Sequence, residues 1–454
     1  MQTSVLAAAA DPKGFDTGSI AWVLISAALV FLMTPALAFF YGGMVRAKHV
    51  LAMLMQNFAA IAIGALVWIT VGFSLAFGKG NWFIGNLDFV GLTDPSQAIP
   101  GLETLAVPPM VFVVFQMTFA IITLALITGA TADRWKFGAF VLFGAIWLVV
   151  IYAPIAHWVW SASGWIFGLG ALDFAGGTVV HINAGAAGLA MAIVLGKRRG
   201  WRKDPMRGHN IPFVLLGAGL LWFGWFGFNA GSALAVNDGN TQLAAIAFIN
   251  TLVAPAAALA GWIIYEKLRH GASTTLGAAS GAVAGLVAIT PAAGFVTPLA
   301  AVAIGLVAGA LCAVSLGLKE KAKVDDALDV VAVHLVGGIW GSIAVGLFAT
   351  STVNGLVTEP GLLVGGGFGL LGKQVLAVAA VLIYSFLGTF VIGKVIGLVM
   401  DNRVDVETEV TGLDQAMHSE TAYEWGDSSY SAQQRGSAPD IAASSTSVKK
   451  EAHV

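Results

Sequence analysis

Two histidines sit inside long apolar stretches of this chain, and an ionisable side chain in such a place is a functional residue by default. His181 lies about eight residues into a stretch near 174–196, and His334 about eight residues into one near 327–350. At ~1.5 Å per residue each is roughly 10–12 Å from its end of the helix, and a bilayer core is ~30 Å thick. If the two stretches enter from opposite sides, both imidazoles fall near the middle, within several ångströms of one another in depth. An apolar surrounding favours the uncharged ring. Two neutral rings can share a hydrogen, one donating and one accepting. Such a pair can relay a proton or hydrogen-bond a small polar solute, but it does not hold a bare cation cheaply. The plain alternative is that each histidine is a packing residue bonded to a neighbouring helix. A metal site lacks ligands, since no cysteine and no third histidine shares that depth.

A second group of residues is aromatic. Phe115 and Phe119 are four apart and share a helix face, as do Trp225, Phe228 and Ser232. Trp160 falls in the loop before the His181 stretch. Aromatic stripes in membrane helices are commonly packing, and a tryptophan near the interface is commonly an anchor. The sharper reading is a cation–π cage at one mouth, with a hydroxyl to accept an N–H. It suits a small cation such as ammonium or methylammonium, and without a fixed carboxylate it releases readily. Asp173 and Asp329 each precede one of the histidines and suit helix N-caps, where a carboxylate meets free N–H groups. A carboxylate near a mouth also assists cation entry.

The elements that must position these residues are membrane spans. Of 454 residues, 57% are hydrophobic and only 11% charged, against about a quarter charged in soluble domains. Eleven segments reach the ~20 apolar residues a span needs, near 19–42, 50–78, 106–130, 137–156, 174–196, 211–233, 241–265, 274–293, 298–318, 327–350 and 371–400. The loops after the odd spans carry 15 of the 23 Lys and Arg, among them Arg46, Arg134, Arg198 and Lys319. The positive-inside rule puts those loops in the cytoplasm, the N-terminus outside and the C-terminus inside. Met1–Ala10 lacks a basic start and a long apolar run, so it reads as an uncleaved N-terminus rather than a signal peptide. Cys312, the single cysteine, excludes an internal disulfide. Residues 1–400 form the membrane domain. Residues 401–454 are a polar cytoplasmic tail, expected to be disordered at least beyond about Gly426.

The first five spans resemble the next five. Span 1 ends in Phe39-Phe40-Tyr41-Gly42-Gly43 and span 6 carries Trp225-Phe226-Gly227-Phe228-Asn229-Ala230-Gly231, while spans 5 and 10 each carry an aspartate and then a histidine. Five spans per half force the halves to be inverted, a design that binds substrate near the midplane at the repeat interface. The expected fold is therefore an all-α integral membrane protein of two inverted five-helix repeats and a long final helix.

Several of these runs together resemble the Amt/MEP/Rh ammonium transporters. They are Phe39 to Arg46, Phe115-Gln116-Met117-Thr118-Phe119, Asp173 to Gly185 with His181 inside it, Gly224 to Ser232, and Val333-His334-Leu335-Val336-Gly337-Gly338. The resemblance covers roughly residues 17–425 and fits the bacterial Amt branch. It implies a homotrimer in the plasma membrane with one pore per subunit. It further implies an outer substrate site of Phe119, Trp160 and Ser232, a gate of Phe119 and Phe228, and a pore lined by His181 and His334. Asp173 and Trp225 support these, and Phe115 joins the same vestibule. The loop from Ser161 to Leu169 departs from the family by lacking its Gly-rich run. The stretch Thr411-Gly412-Leu413-Asp414, with His418, Glu420 and Tyr423, resembles the family's ordered tail, which couples subunits and meets PII-type signalling proteins.

The resulting expectation is transport: ammonium gathered at the aromatic mouth, relieved of a proton, and passed along the histidines. Its rivals are a neutral-gas channel, which needs no Trp160 or Ser232, and an ammonium sensor, which would carry a signalling domain beyond a tail of about 54 residues. An enzyme is not expected, with no phosphate loop, nucleophile motif or metal cluster. No cofactor is implied, and the absence of a basic domain argues against nucleic acid.

Overall fold

The computed structural model describes residues 14–236 and 242–423. The expectations for Met1–Ala10 and for the tail beyond Gly426 lie outside the described residues. No β-strand occurs among the described residues; the regular structure there is helical, joined by loops and turns, with one isolated bridge between Trp135 and Arg403. That is the outcome lipid demands, since a helix satisfies its own backbone groups where no water can.

Ten of these helices are long and apolar enough to cross a membrane, so the chain is a multi-pass membrane protein. They are α1 (Thr17–Met44), α2 (Ala47–Phe77), α3 (Pro109–Thr131), α4 (Phe137–Leu169), α5 (Gly177–Leu195), α6 (Ile211–Gly231), α7 (Leu243–His270), α9 (Pro298–Lys319), α10 (Val331–Phe348) and α11 (Phe368–Val399). The segment expected near 274–293 forms a shorter helix, α8 (Thr275–Ile289). Its 15 residues extend only about 22 Å. All of its residues from Ala279 onward are buried, and so are the turns that follow as far as Val296. Surrounded by protein, this element does not need the length of a lipid-facing span.

Local chemistry sets the ends. Asp16 caps α1 by accepting from Ser19 N at 2.7 Å, Thr274 caps α8 through Gly277 N at 2.8 Å, and Asn210 caps α6 through Phe213 N at 3.0 Å. In the bundle α1 runs along α6 and α7 along α9, while α5 and α10 lie at the centre. Helix α11 runs outside them. Its Ile383, Leu387, Val391, Val395 and Leu398 recur every three or four residues and are all more than half exposed, a stripe suited to lipid.

After α11 the chain turns back along one end of the bundle. Lys136 N donates to Asn402 O at 2.9 Å and Val404 N to Arg134 O at 3.1 Å. Two short helices follow, α12 (Val406–Thr411) and α13 (Leu413–His418). The tail as far as Tyr423 is thus docked structure, and His209 Nε2 meets the Tyr423 hydroxyl at 2.7 Å.

Candidate functional site

The two histidines meet. Nδ1 of His334 lies 3.3 Å from Nδ1 of His181, with ring centroids 5.4 Å apart and planes inclined by 29°. Both rings are buried, and Nε2 of His181 has no partner among the described residues. Two nitrogens at this distance need one hydrogen between them, so one ring donates and the other accepts.

The backbone beneath each ring is unusual in the same way. Both histidines sit in π-helical turns, Gly177–Ile182 at the start of α5 and Val331–Val336 at the start of α10. Such turns are rare and concentrate at functional sites. Gly176, at φ +117°, turns the chain into the first of them, a conformation open to glycine and strained for other residues. Each turn is capped by an aspartate eight residues before its histidine. Asp173 accepts from Gly176 N at 2.8 Å, Gly177 N at 2.7 Å and Thr178 N at 2.7 Å, and also from the Thr178 hydroxyl. In α10 the capping residue is Asp326, which accepts from Val330 N at 3.1 Å and Val331 N at 2.8 Å. This corrects the expectation for Asp329, whose carboxylate instead pairs with Lys319. The shared eight-residue spacing, 173 to 181 and 326 to 334, is the sequence signal that could have pointed to Asp326. Burial pushes the Asp326 carboxyl up to about 6, against the pull of the Lys319 charge.

A second shared spacing brings the helices together. A glycine follows each histidine by four residues, and each receives the opposite turn. A Cβ on Gly185 would come within 2.6 Å of Leu335 N, and one on Gly338 within 3.1 Å of the His181 Cβ. Gly185→Ala should therefore push α10 away and destabilise the fold by about 1–3 kcal/mol. Gly219→Ala on α6, where nothing lies within 4 Å, should be neutral or mildly stabilising. Unfolding midpoints in detergent measure both.

Above the histidines the aromatic residues form a continuous stack. Phe228 lies 6.0 Å from His181, and Phe119 stacks on Phe228 at 4.2 Å and 28°. Trp160 meets Phe119 edge-on at 5.8 Å, and Phe115 packs against Phe119 at 4.9 Å. Trp225 flanks the stack 5.5 Å from His181, held by its Nε1 donating to Thr290 Oγ1 at 2.8 Å. Trp160 is the last residue of the helical run Ala153–Trp160 in α4, not a loop residue as its place in the sequence suggested. Its Nε1 donates to the Asp173 carbonyl at 3.1 Å, so one aspartate ties the tryptophan and the His181 turn together. Ser232, just past α6, donates its hydroxyl to Phe228 O at 2.8 Å. Its oxygen lone pairs are thereby left to accept.

Two spaces flank the Phe119–Phe228 pair. On one side is a cavity of about 280 Å³ whose walls include Phe119, Trp160, Asp173 and Ser232. On the other is a volume of about 10 Å³ bounded by His181, His334, Trp225, Phe228 and aliphatic side chains, at the threshold for one water-sized molecule. The arrangement joins a weakly polar aromatic cup, a stacked pair of phenyl rings and a small apolar space bordered by two imidazoles. Among the described residues no cluster of three or more His, Cys, Asp or Glu is placed to hold a metal.

A family model described as "Ammonium Transporter Family" matches residues 21–423. The chain is 51% identical over 409 residues to the ammonium transporter of Bacillus subtilis, covering 90% of this chain and 98% of that one. Its structure is similar to the crystal structure of Candida albicans Mep2, with a TM-score of 0.79, 34% identity and coverage of 87% and 88% of the two chains. It is equally similar to a solved structure described as "Sensor Amt Protein", with a TM-score of 0.79, 32% identity and coverage of 88% and 98%.

Proposed function

The chain belongs to the Ammonium Transporter Family, and from that premise we propose that it carries ammonium or ammonia, and methylammonium, across the plasma membrane. The observation that carries the reading is the unbroken series Trp160, Phe119, Phe228, His181, His334 between the open cavity and the narrow passage. Ammonium enters the cup of Phe119, Trp160 and Ser232. The ring faces attract it, and the Ser232 oxygen accepts one of its N–H bonds. Stripping an ion of water in a low-dielectric passage costs several kcal/mol. Loss of one proton turns NH₄⁺ into neutral NH₃ and removes most of that cost. NH₃ then passes the Phe119–Phe228 gate and hydrogen-bonds along His181 and His334, while the proton either stays outside or travels through the pair. Asp173 and Trp225 hold the rings in place.

The same reading takes α1 to α11 as eleven spans in two inverted halves plus a final helix, with the N-terminus outside and the C-terminus inside. Residues 1–400 are the transport domain and 401–454 the cytoplasmic tail. Three copies assemble, each with its own pore, and the tail face receives a PII-type signalling protein. The sensor reading draws on the similarity to the "Sensor Amt Protein" structure. The two differ in flux.

The test is uptake of labelled methylammonium into proteoliposomes, with current recorded, for wild type, His181→Ala and His334→Ala. Wild type should show flux well above empty vesicles, and each variant should lose most of it. No flux above empty vesicles defeats the transport reading, and flux without current defeats proton passage through the pair.

A further inference from the structure

The docked tail and the start of α2 complete one another's unfinished helix ends. The helical part of α2 begins at Val50, after a tight turn Ala47–His49, and its first N–H groups have no partner within the helix. Asp414 of α13 supplies one, accepting from Leu51 N at 3.0 Å and Ala52 N at 2.9 Å. In return His49 accepts the N–H of Leu413, the first residue of α13, on its Nδ1 at 3.3 Å. His49, Leu413 and Asp414 are each no more than 2% exposed.

A backbone N–H can only donate. Nδ1 of His49 must therefore carry a lone pair, and the ring's single hydrogen sits on Nε2, which is buried without a partner among the described residues. A second proton could go only to Nδ1, the atom that holds Leu413. Proton uptake by His49 and docking of the tail exclude each other. We propose that His49 is a proton-sensitive catch, which holds the C-terminal tail while neutral and releases it when the tail face turns acidic.

The groups around the ring are mixed. Arg46 and Lys48 come from its own turn, Asp133 from the α3–α4 turn and Glu409 from α12. On α13, Asp414 sits against Leu51 N and Ala52 N and feels the charge of His418, and Lys48 donates to the Val410 carbonyl. Burial holds the Asp414 carboxyl above its usual range, against the pull of the Ala52 and Leu51 N–H groups. Its own proton uptake therefore favours docking as pH falls and opposes the His49 effect. His49→Asn separates the two, because it keeps an acceptor oxygen, does not titrate and leaves Asp414 in place.

The catch is independent of what crosses the pore, and so is its test. A spin label on Gln415→Cys, at an exposed position of α13, reports tail mobility in the full-length protein in nanodiscs. Cys312 is fully buried and does not compete for the label. Below the ordinary imidazole value of about 6.5, each pH unit should shift the docking equilibrium about tenfold toward release. The mobile fraction in wild type should accordingly rise between about pH 8 and about pH 5.5, and His49→Asn should stay flat over that range. A His49→Asn or His49→Gln tail that is already mobile at the alkaline end also supports the catch. A wild-type spectrum unchanged across the range overturns the proposal, as does a His49→Asn variant that responds as wild type does.

Discussion

Replacing Asp173 with alanine should lower methylammonium uptake at least about a hundredfold, while Asp173→Asn should keep a measurable part of it. The carboxylate gathers the N–H groups of Gly176, Gly177 and Thr178 and the Thr178 hydroxyl at the start of the turn that carries His181. Alanine leaves those donors unpaired in a buried setting, at about 1–3 kcal/mol each. Two such losses, near 3 kcal/mol together, are enough to unwind the turn in most molecules, and each ~1.4 kcal/mol is a factor of ten. Trp160, whose indole rests on the Asp173 carbonyl, would shift with it. Asparagine keeps one acceptor oxygen and so part of the cap. If the carboxylate worked mainly by drawing cations to the mouth, Asn and Ala would be equally damaging. Initial uptake rates at saturating and limiting methylammonium distinguish the two, because lost attraction raises the half-saturating concentration and a collapsed turn lowers the maximal rate.

Arg198→Ala should produce the largest loss of stability, about 3–5 kcal/mol, the cost of leaving buried charge unpaired. The Arg198 guanidinium forks onto Asp325, with Nη2 at 2.8 Å and Nε at 3.1 Å, and reaches Asp133 at 3.5 Å. Arg46 completes the pair with Asp133 at 3.1 Å, and Arg134 donates to the Asp325 carbonyl at 2.6 Å. The cluster fastens the α3–α4, α5–α6 and α9–α10 connections into one plate beneath the bundle. Burial raises both carboxyls. For Asp133 the Arg198 and Arg46 charges help outweigh it, and for Asp325 the Arg198 hydrogen bonds and charge do, so both end below the usual carboxylate range.

The sign follows from that depression. A carboxylate with a lowered pKa stabilises the fold above its ordinary value of about 3.9 and loses the contribution only as pH falls through its lower folded value. For wild type this cluster should contribute a constant amount from neutral pH down to about pH 4. In Arg198→Ala the main charge offsetting burial is gone, so the carboxyls protonate more readily and the penalty should shrink as pH falls. Arg198→Lys, which cannot fork onto two oxygens, should fall between. Denaturation midpoints in detergent across pH measure all three, and an Arg198→Ala deficit that is the same at pH 7 and in mild acid would show the pairing to be unimportant.

Much of this protein is legible in its residues. Apolar runs of membrane length mark the helices because lipid tolerates little else. The runs around His181 and His334, with those at Phe39–Arg46, Phe115–Phe119 and Gly224–Ser232, mark the family. These features are local, set by spacing along one helix. What the residues do not state is which parts of distant helices touch. Asp326 and Asp329 are equally good caps by type; only Asp326 shares the spacing of Asp173, and Lys319, arriving on α9, draws Asp329 away. Trp160 read as a loop residue because the apolar run stops at His157, whereas the helix continues to Trp160 with His157 buried and bonded to the Ala76 and Asn81 carbonyls. Helix α8 is shorter than its apolar run implied, because composition cannot tell a helix in lipid from one buried in protein. By composition alone the tail read as solvated, and only the family resemblance marked Thr411 to Tyr423 as ordered; Leu413 and Asp414 finish the start of α2, some 360 residues earlier in the chain. Spacing along a helix is written in the chain, whereas the meeting of Phe119 with Phe228, of His181 with His334, and of His49 with the tail is decided by packing across the bundle, where side-chain volume and backbone hydrogen-bonding needs from distant segments must be met at once.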